Sequence, residues 1–128
     1  MTTGERFVER AGIQIRVAEA AAEIQADRQL LAYDVQLFHG WADSIYEPTL
    51  LERATVRRNT GYCVKLSLQA AYRWFEAGGA RAVYNENPMQ RIYRDISAMS
   101  RSVAVVREPI WEQYGRLLWE LPQSSCFL

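Results

Sequence analysis

The chain has one histidine, His39, and two cysteines, Cys63 and Cys126, in 128 residues. A lone imidazole builds neither a histidine metal cluster nor a Ser-His-Asp triad, and no metal site is expected. The cysteines lack the paired spacing of zinc or redox motifs. Net charge is also missing: 15 Lys and Arg balance 15 Asp and Glu, so nothing steers the chain toward nucleic acid or an anionic membrane. No run approaches the roughly 20 apolar residues of a membrane span. The N-terminal Met1-Thr2-Thr3-Gly4-Glu5-Arg6 has no signal-peptide core, and a cytoplasmic location is expected. Strand-like alternation, Asn-Gly or Asp-Gly hairpin dipeptides and internal repeats are absent.

What is present is helical periodicity. About half the residues are apolar, 49%, enough for a single domain spanning 1–128. Ile13, Val17, Ala21, Ile24, Leu31, Val35, Phe38, Ala42 and Ile45 recur at helical spacing, with Arg16, Glu19, Glu23 and Asp27 opposite, and predict a long first helix ending before Pro48. A second helix opens near Pro48 and Thr49 and carries Gly61, Val64, Leu68, Ala71 and Phe75. Gly61 there is either a close packing contact or a soft spot. From Pro88 a third stripe runs through Met89, Ile92, Tyr93, Ile96, Met99, Val103 and Val106 until Pro109. A short fourth carries Ile110, Trp111, Tyr114, Leu117, Leu118 and Leu121. These predict an all-α, antiparallel four-helix bundle.

The segment from Phe75 to Asp95 reads as a helix end, a turn and a helix start. Gly78 and Gly79 can take the positive φ that closes a helix, while Asn87, Pro88 and Gln90 resemble an N-cap, a first helical residue and a near capping box. On the third helix Arg94 and Arg101, with Arg91 further round, form a basic stripe. It is either an anion site, or a row of interface ion pairs, or a solvated face. His39, the one imidazole, is the first candidate base, with Glu47, Glu86 and Asp34 as lesser acid/base candidates whose activation requires burial. Trp41, Tyr62, Trp74, Tyr84 and Trp111, among other aromatics, suit a core, an interface or a pocket for a flat organic molecule.

Four phrases carry a family resemblance: Val17 to Ile24, Phe75 to Tyr84, Gln90-Arg91-Ile92-Tyr93-Arg94-Asp95, and Tyr114-Gly115-Arg116 with Leu117-Leu118. Together they resemble the C-terminal helical domain of the acyl-CoA dehydrogenase superfamily, closest to the two-component flavin-dependent monooxygenases. The resemblance implies that Gly78, Gly79, Tyr84, Arg94 and Arg101 contact a cofactor, reduced FMN or FAD. It also implies an Arg94-Asp95 pair that joins helices and subunits. Such proteins carry an N-terminal helical and a middle β-domain that complete the flavin site, and neither is recognisable here. The chain is expected to be a stand-alone protein made of the last third of that fold rather than a piece cut from a longer one, and, as such bundles associate through this domain, to form a homo-oligomer, dimer or tetramer. Flavin is then expected only with a partner chain bearing the missing domains, or not at all. Many of these monooxygenases place a histidine shortly after the Arg-Asp pair, but Ile96 to Ser102 contains none, and Ser97 and Ser102 cannot replace it as a base. The leading expectation is a helical module acting with a partner or oligomer in flavin-dependent oxidation of a small organic or acyl substrate. The alternatives are a flavin-independent cyclase or isomerase of specialised metabolism and a non-catalytic oligomerisation module.

Overall fold

The computed structural model describes residues 7–102 and 104–123. Four helices follow a short 3₁₀ turn at Phe7–Glu9: α1 (Ala11–Ser44), α2 (Leu50–Ala77), α3 (Pro88–Met99) and α4 (Arg107–Leu118). A second 3₁₀ turn, Gly79–Val83, lies between α2 and α3. Among the described residues there is no strand. The all-α, four-helix expectation holds, with a particular arrangement: α1, α3 and α4 each pack on α2. That leaves grooves on either side of α2.

Each boundary has a local cause. At the end of α1, the Tyr46 N–H donates to Trp41 O (2.9 Å) and the Ile45 N–H to Ala42 O (3.3 Å), with Ile45 at φ 53. This is the six-to-one and five-to-two pattern that usually ends on glycine. A β-branched residue in left-handed backbone is strained by roughly 1–2 kcal/mol, and Ile45 is 94% exposed, so packing repays little of it. Ile45→Gly is expected to raise the unfolding free energy by about 1 kcal/mol in urea titration; an unchanged or lower value would show that the turn carries no strain. Thr49 then caps α2: its side chain accepts from the Glu52 N–H, and the Glu52 carboxylate accepts from the Thr49 N–H at 2.8 Å. This capping box is complete.

The α1–α2 seam corrects the expected faces. The residues of α1 shielded by α2 are Ile13, Arg16, Val17, Ala20, Glu23, Asp27, Leu30, Asp34, Leu37 and Trp41, at alternating steps of three and four once Val17 is set aside. The predicted solvent face is thus largely the seam. Arg73 donates to Glu23 at 2.9 Å and pairs with Glu19. Ser67 Oγ donates to Asp27 Oδ2 at 2.7 Å, and Asn59 Nδ2 donates to Asp34 Oδ1 at 2.7 Å. Conversely Ile24, Leu31, Val35, Phe38 and Ile45 of the predicted core stripe are exposed. Small residues of α2, namely Ala54, Gly61, Ala70, Ala71 and Ala77, are buried and let its neighbours approach closely.

The glycine turn uses its residues unequally. Only Gly79 has positive φ, 55; Gly78 stays right-handed at φ −68 because Ala82 packs against it, leaving 2.8 Å between the Ala82 Cβ and the place a Gly78 Cβ would occupy. Asn87 caps α3 by accepting from the Met89 N–H, so the cap forms without the side chain of Gln90.

Helix α3 is shorter and less buried than its stripe predicts. It stops at Met99, ten residues before Pro109, which instead sits in the first turn of α4 where its missing N–H has no partner to lose. Ser97 Oγ donates to Tyr93 O and Ser100 Oγ to Ser97 O, local bonds that compete with the helical ladder. The next N–H groups, of Arg101 and Ser102, reach back only three residues, to Ala98 and Met99. Ile92 and Met99 are 44% and 71% exposed, since among the described elements α3 packs on α2, through the stacked Phe75–Tyr93 rings (4.9 Å), and otherwise only on the Gly79–Val83 turn. Val103 lies outside the described residues.

Candidate functional site

The stretch from Ile96 to Ser102 forms one wall of a groove of about 510 Å³. Helix α2 supplies the floor through Cys63, Val64 and Ser67, α3 supplies Ile96 and Met99, and the connection to α4 supplies Ser100, Ser102 and Val105. The groove exists because α3 ends early: the serine-bonded turn carries the chain away from α2 instead of continuing the helix along it.

Its walls are apolar apart from a thiol and three hydroxyls. Cys63 Sγ donates to the Asp27 carbonyl oxygen at 3.7 Å. Burial, then the hydrogen-bonding reach of the Asp27 side chain and the charges of Asp27 and Asp34, push the Cys63 thiol up to about 12. At neutral pH it is a protonated, inert wall rather than a nucleophile. Ser67 also borders a neighbouring hollow of about 480 Å³ between α1 and α3 that includes Asp27, Arg28 and Trp74. The groove's volume and apolar lining suit a small organic molecule.

None of the cofactor or base candidates singled out from sequence lines this groove, although Arg101 stands between Ser100 and Ser102 in its wall, and they do not converge on one site. Gly78 and Gly79 form the turn at the far end of α2, and Gly79 has open space where a Cβ would stand. Arg94 shares a shallower hollow of about 370 Å³ with Phe75, Val83 and Tyr93; Tyr84 is 61% exposed beside it. Arg94 and Arg91 both approach Asp95, at 3.6 and 3.5 Å. Arg101 lies beyond the end of α3, so the predicted stripe is broken after Arg94. His39, Glu47 and Glu86 are exposed. His39 lies level with the start of α2, roughly 40 Å from the glycine turn at 1.5 Å per residue, so no single small ligand spans both.

Asp34 has the burial that an acid/base role requires, but in a structural setting. It is 3% exposed, and its carboxyl accepts from Asn59, whose Oδ1 in turn accepts from Arg58 Nε and Nη2 at 3.1 and 2.7 Å. Burial lifts the Asp34 carboxyl above its ordinary range, opposed by the Asn59 bond and the Arg58 charge. The folded state therefore holds this proton more tightly than the unfolded chain does. Its stabilising contribution is complete below the unfolded value of 3.8 and is lost as pH rises through the higher folded value. Asp34→Asn is expected to flatten that part of the stability profile, so its urea midpoint falls less than the parent's between pH 4 and pH 7. Parallel profiles would contradict the assignment.

Sequence reading missed Cys63, Ser67 and Asp27. The available signal was the three-four series on α1, which is regular but alternates apolar and charged residues, so a search for apolar periodicity passes over it.

Two kinds of comparison align with this geometry. Residues 1–106 match the family described as acyl-CoA dehydrogenase, C-terminal domain. The chain is 34% identical over 125 residues to the flavin-dependent monooxygenase oxygenase subunit HsaA of Mycobacterium tuberculosis, covering 98% of this chain and 32% of that protein. It is 30% identical over 117 residues to the oxygenase component of an FADH(2)-dependent resorcinol hydroxylase of a Rhizobium species, covering 88% of this chain and 28% of that protein. The crystal structure of 3-HSA hydroxylase from Rhodococcus sp. RHA1 superposes with a TM-score of 0.87 at 26% identity, over 98% of this chain and 33% of that one. The chain thus spans about a third of the length of these relatives.

Proposed function

Because this chain belongs to the acyl-CoA dehydrogenase C-terminal domain family, we propose that it is the helical part of a flavin-dependent monooxygenase oxygenase component. It works with N-terminal and middle domains carried on another polypeptide or elsewhere on its own. The observation that carries this reading is the 34% identity to such an oxygenase subunit over 98% of the chain. The groove beside Ile96 to Ser102 holds the aromatic part of the substrate against Val64, Ile96 and Met99 and excludes water from it. The flavin-independent and purely structural alternatives draw no support from relatives named as flavin-dependent oxygenases.

Flavin, when bound, supplies the redox chemistry that activates oxygen. On this chain the residues fit only its phosphate end. Arg94 offers a guanidinium near the turn, and Gly79 leaves open the space that a side chain would fill. The exposed Ile24, Leu31, Val35 and Phe38 of α1 are an apolar surface suited to the complementary domains or to another copy of the chain. Co-expression with the N-terminal two thirds of the Mycobacterium tuberculosis subunit, supplied with reduced flavin, oxygen and a phenolic substrate, tests the proposal. Hydroxylated product above that of either piece alone is expected; a co-purified complex that binds flavin yet gains no product would overturn it.

A further inference from the structure

We propose that Ser67, locked by Asp27, is the hydrogen-bond acceptor that orients a neutral, hydroxyl-bearing aromatic ligand in this groove and discriminates against anions. The inference rests on the groove being the ring site proposed above, and goes beyond it by assigning the polar contact and the protonation state of what binds.

It follows from where the protons go. Ser67 Oγ lies 2.7 Å from Asp27 Oδ2, and a carboxylate can only accept, so the hydroxyl proton of Ser67 is committed to Asp27. Cys63 Sγ faces the Asp27 carbonyl oxygen at 3.7 Å and Ser100 Oγ faces the Ser97 carbonyl oxygen at 2.8 Å; carbonyls also only accept, so these protons are committed too. Three of the four polar side chains bordering the groove therefore present lone pairs to it and no hydrogen. Of these, the Ser67 oxygen is the strongest acceptor, because sulfur accepts weakly and the Ser67 oxygen is polarised by the carboxylate that holds its proton. A ligand must bring the hydrogen. A phenol does, whereas its methyl ether and an aryl carboxylate do not.

Charge points the same way. No cationic side chain lines the groove itself, with Arg28 set in the adjoining hollow, while Asp27 is bonded to Ser67 and Asp34 lies one helical heptad further along α1. The thiol of Cys63, held protonated in this surrounding, reports that negative charge is disfavoured here. An anion entering the groove would lose its hydration and meet Ser102 as the one lining hydroxyl with an uncommitted proton, against the lone pairs of the other three polar groups.

The test uses the full chain and three probes of one shape: 2-naphthol, 2-methoxynaphthalene and 2-naphthoate, with affinities from ligand-observed NMR titration. The expected order places 2-naphthol about tenfold or more above the other two, as one hydrogen bond and one avoided mismatch allow. Ser67→Ala, a substitution that favours helix, is expected to abolish that advantage while leaving 2-methoxynaphthalene unchanged. In Asp27→Asn the amide can donate to Ser67 and turn its hydroxyl hydrogen into the groove, so the preference moves toward 2-methoxynaphthalene. Equal binding of all three probes, or a 2-naphthol preference that survives Ser67→Ala in a folded protein, overturns the assignment of Ser67 and leaves the groove standing. No binding by any probe overturns the groove as a ring site and this inference with it.

Discussion

Asn59→Leu is expected to lower the unfolding free energy by about 3 kcal/mol, the usual cost of leaving a buried charged group without its partner. Asn59 and Asp34 are 2% and 3% exposed, and the only bond reaching the Asp34 carboxyl among the described residues comes from Asn59. The same side chain gives Arg58 its acceptor, and Arg58 reaches on to Tyr114 Oη at 2.7 Å, so one amide ties α1 to α2 and, through Arg58, to α4. Leucine keeps asparagine's branching at Cγ but is bulkier, so the loss reports the broken network with some overpacking and no cavity. Asp34→Leu combined with Asn59→Leu is expected to recover most of the stability, because replacing both partners by apolar groups removes the unpaired charge. Urea unfolding of the two single variants and the double variant measures the coupling. A loss below about 1 kcal/mol in Asn59→Leu would show that water replaces the amide and that the seam is not sealed.

Gly61→Leu is expected to cost a similar amount, about 3 kcal/mol, by forcing α4 off α2. A Cβ at Gly61 would stand 3.1 Å from Trp111 Nε1 and 3.4 Å from Arg107 Cγ. The Trp111 indole cannot yield freely, because its N–H donates to Arg58 O at 3.2 Å and its ring lies under Arg107 at 5.9 Å. Gly61→Ala is expected to remain within about 1 kcal/mol of the parent, since the gain in helix propensity offsets a shift of a few tenths of an ångström. Tryptophan emission distinguishes the two, moving to longer wavelength in Gly61→Leu as Trp111 becomes hydrated. Equal stability for both variants would show that α4 tolerates displacement.

Much of this fold is written in local signals. Pro48 and Thr49 mark the break between α1 and α2, the glycine pair ends α2, and Asn87-Pro88 starts α3, because caps and restricted backbones act within a few residues. Gly61 reads in sequence as contact or soft spot, and the indole of Trp111 on α4 makes it a contact.

The seam is harder to read because Asp27 and Asp34 sit where apolar residues are expected, each made tolerable by one partner on α2, Ser67 or Asn59. Such pairs are set by the register of two helices, and periodicity within one helix cannot reveal that register. The end of α3 is illegible for another reason: Ser97 and Ser100 fit a helix by spacing, and only their bonds to Tyr93 and Ser97 carbonyls show the ladder giving way. The groove depends on both facts, the early stop of α3 and the Asp27–Ser67 register. The phrases that resemble a family are therefore legible in sequence while the groove they border is not.

The most direct test of the account is to locate the ligand. In methyl-resolved NMR spectra of the full chain titrated with 2-naphthol, the shifts are predicted to fall on Val64, Ile96, Met99 and Val105, around one groove. Shifts confined to Leu30 and the neighbours of Trp111 on the opposite side of α2, or gathered at Phe38 and Trp41 beside His39, would contradict it.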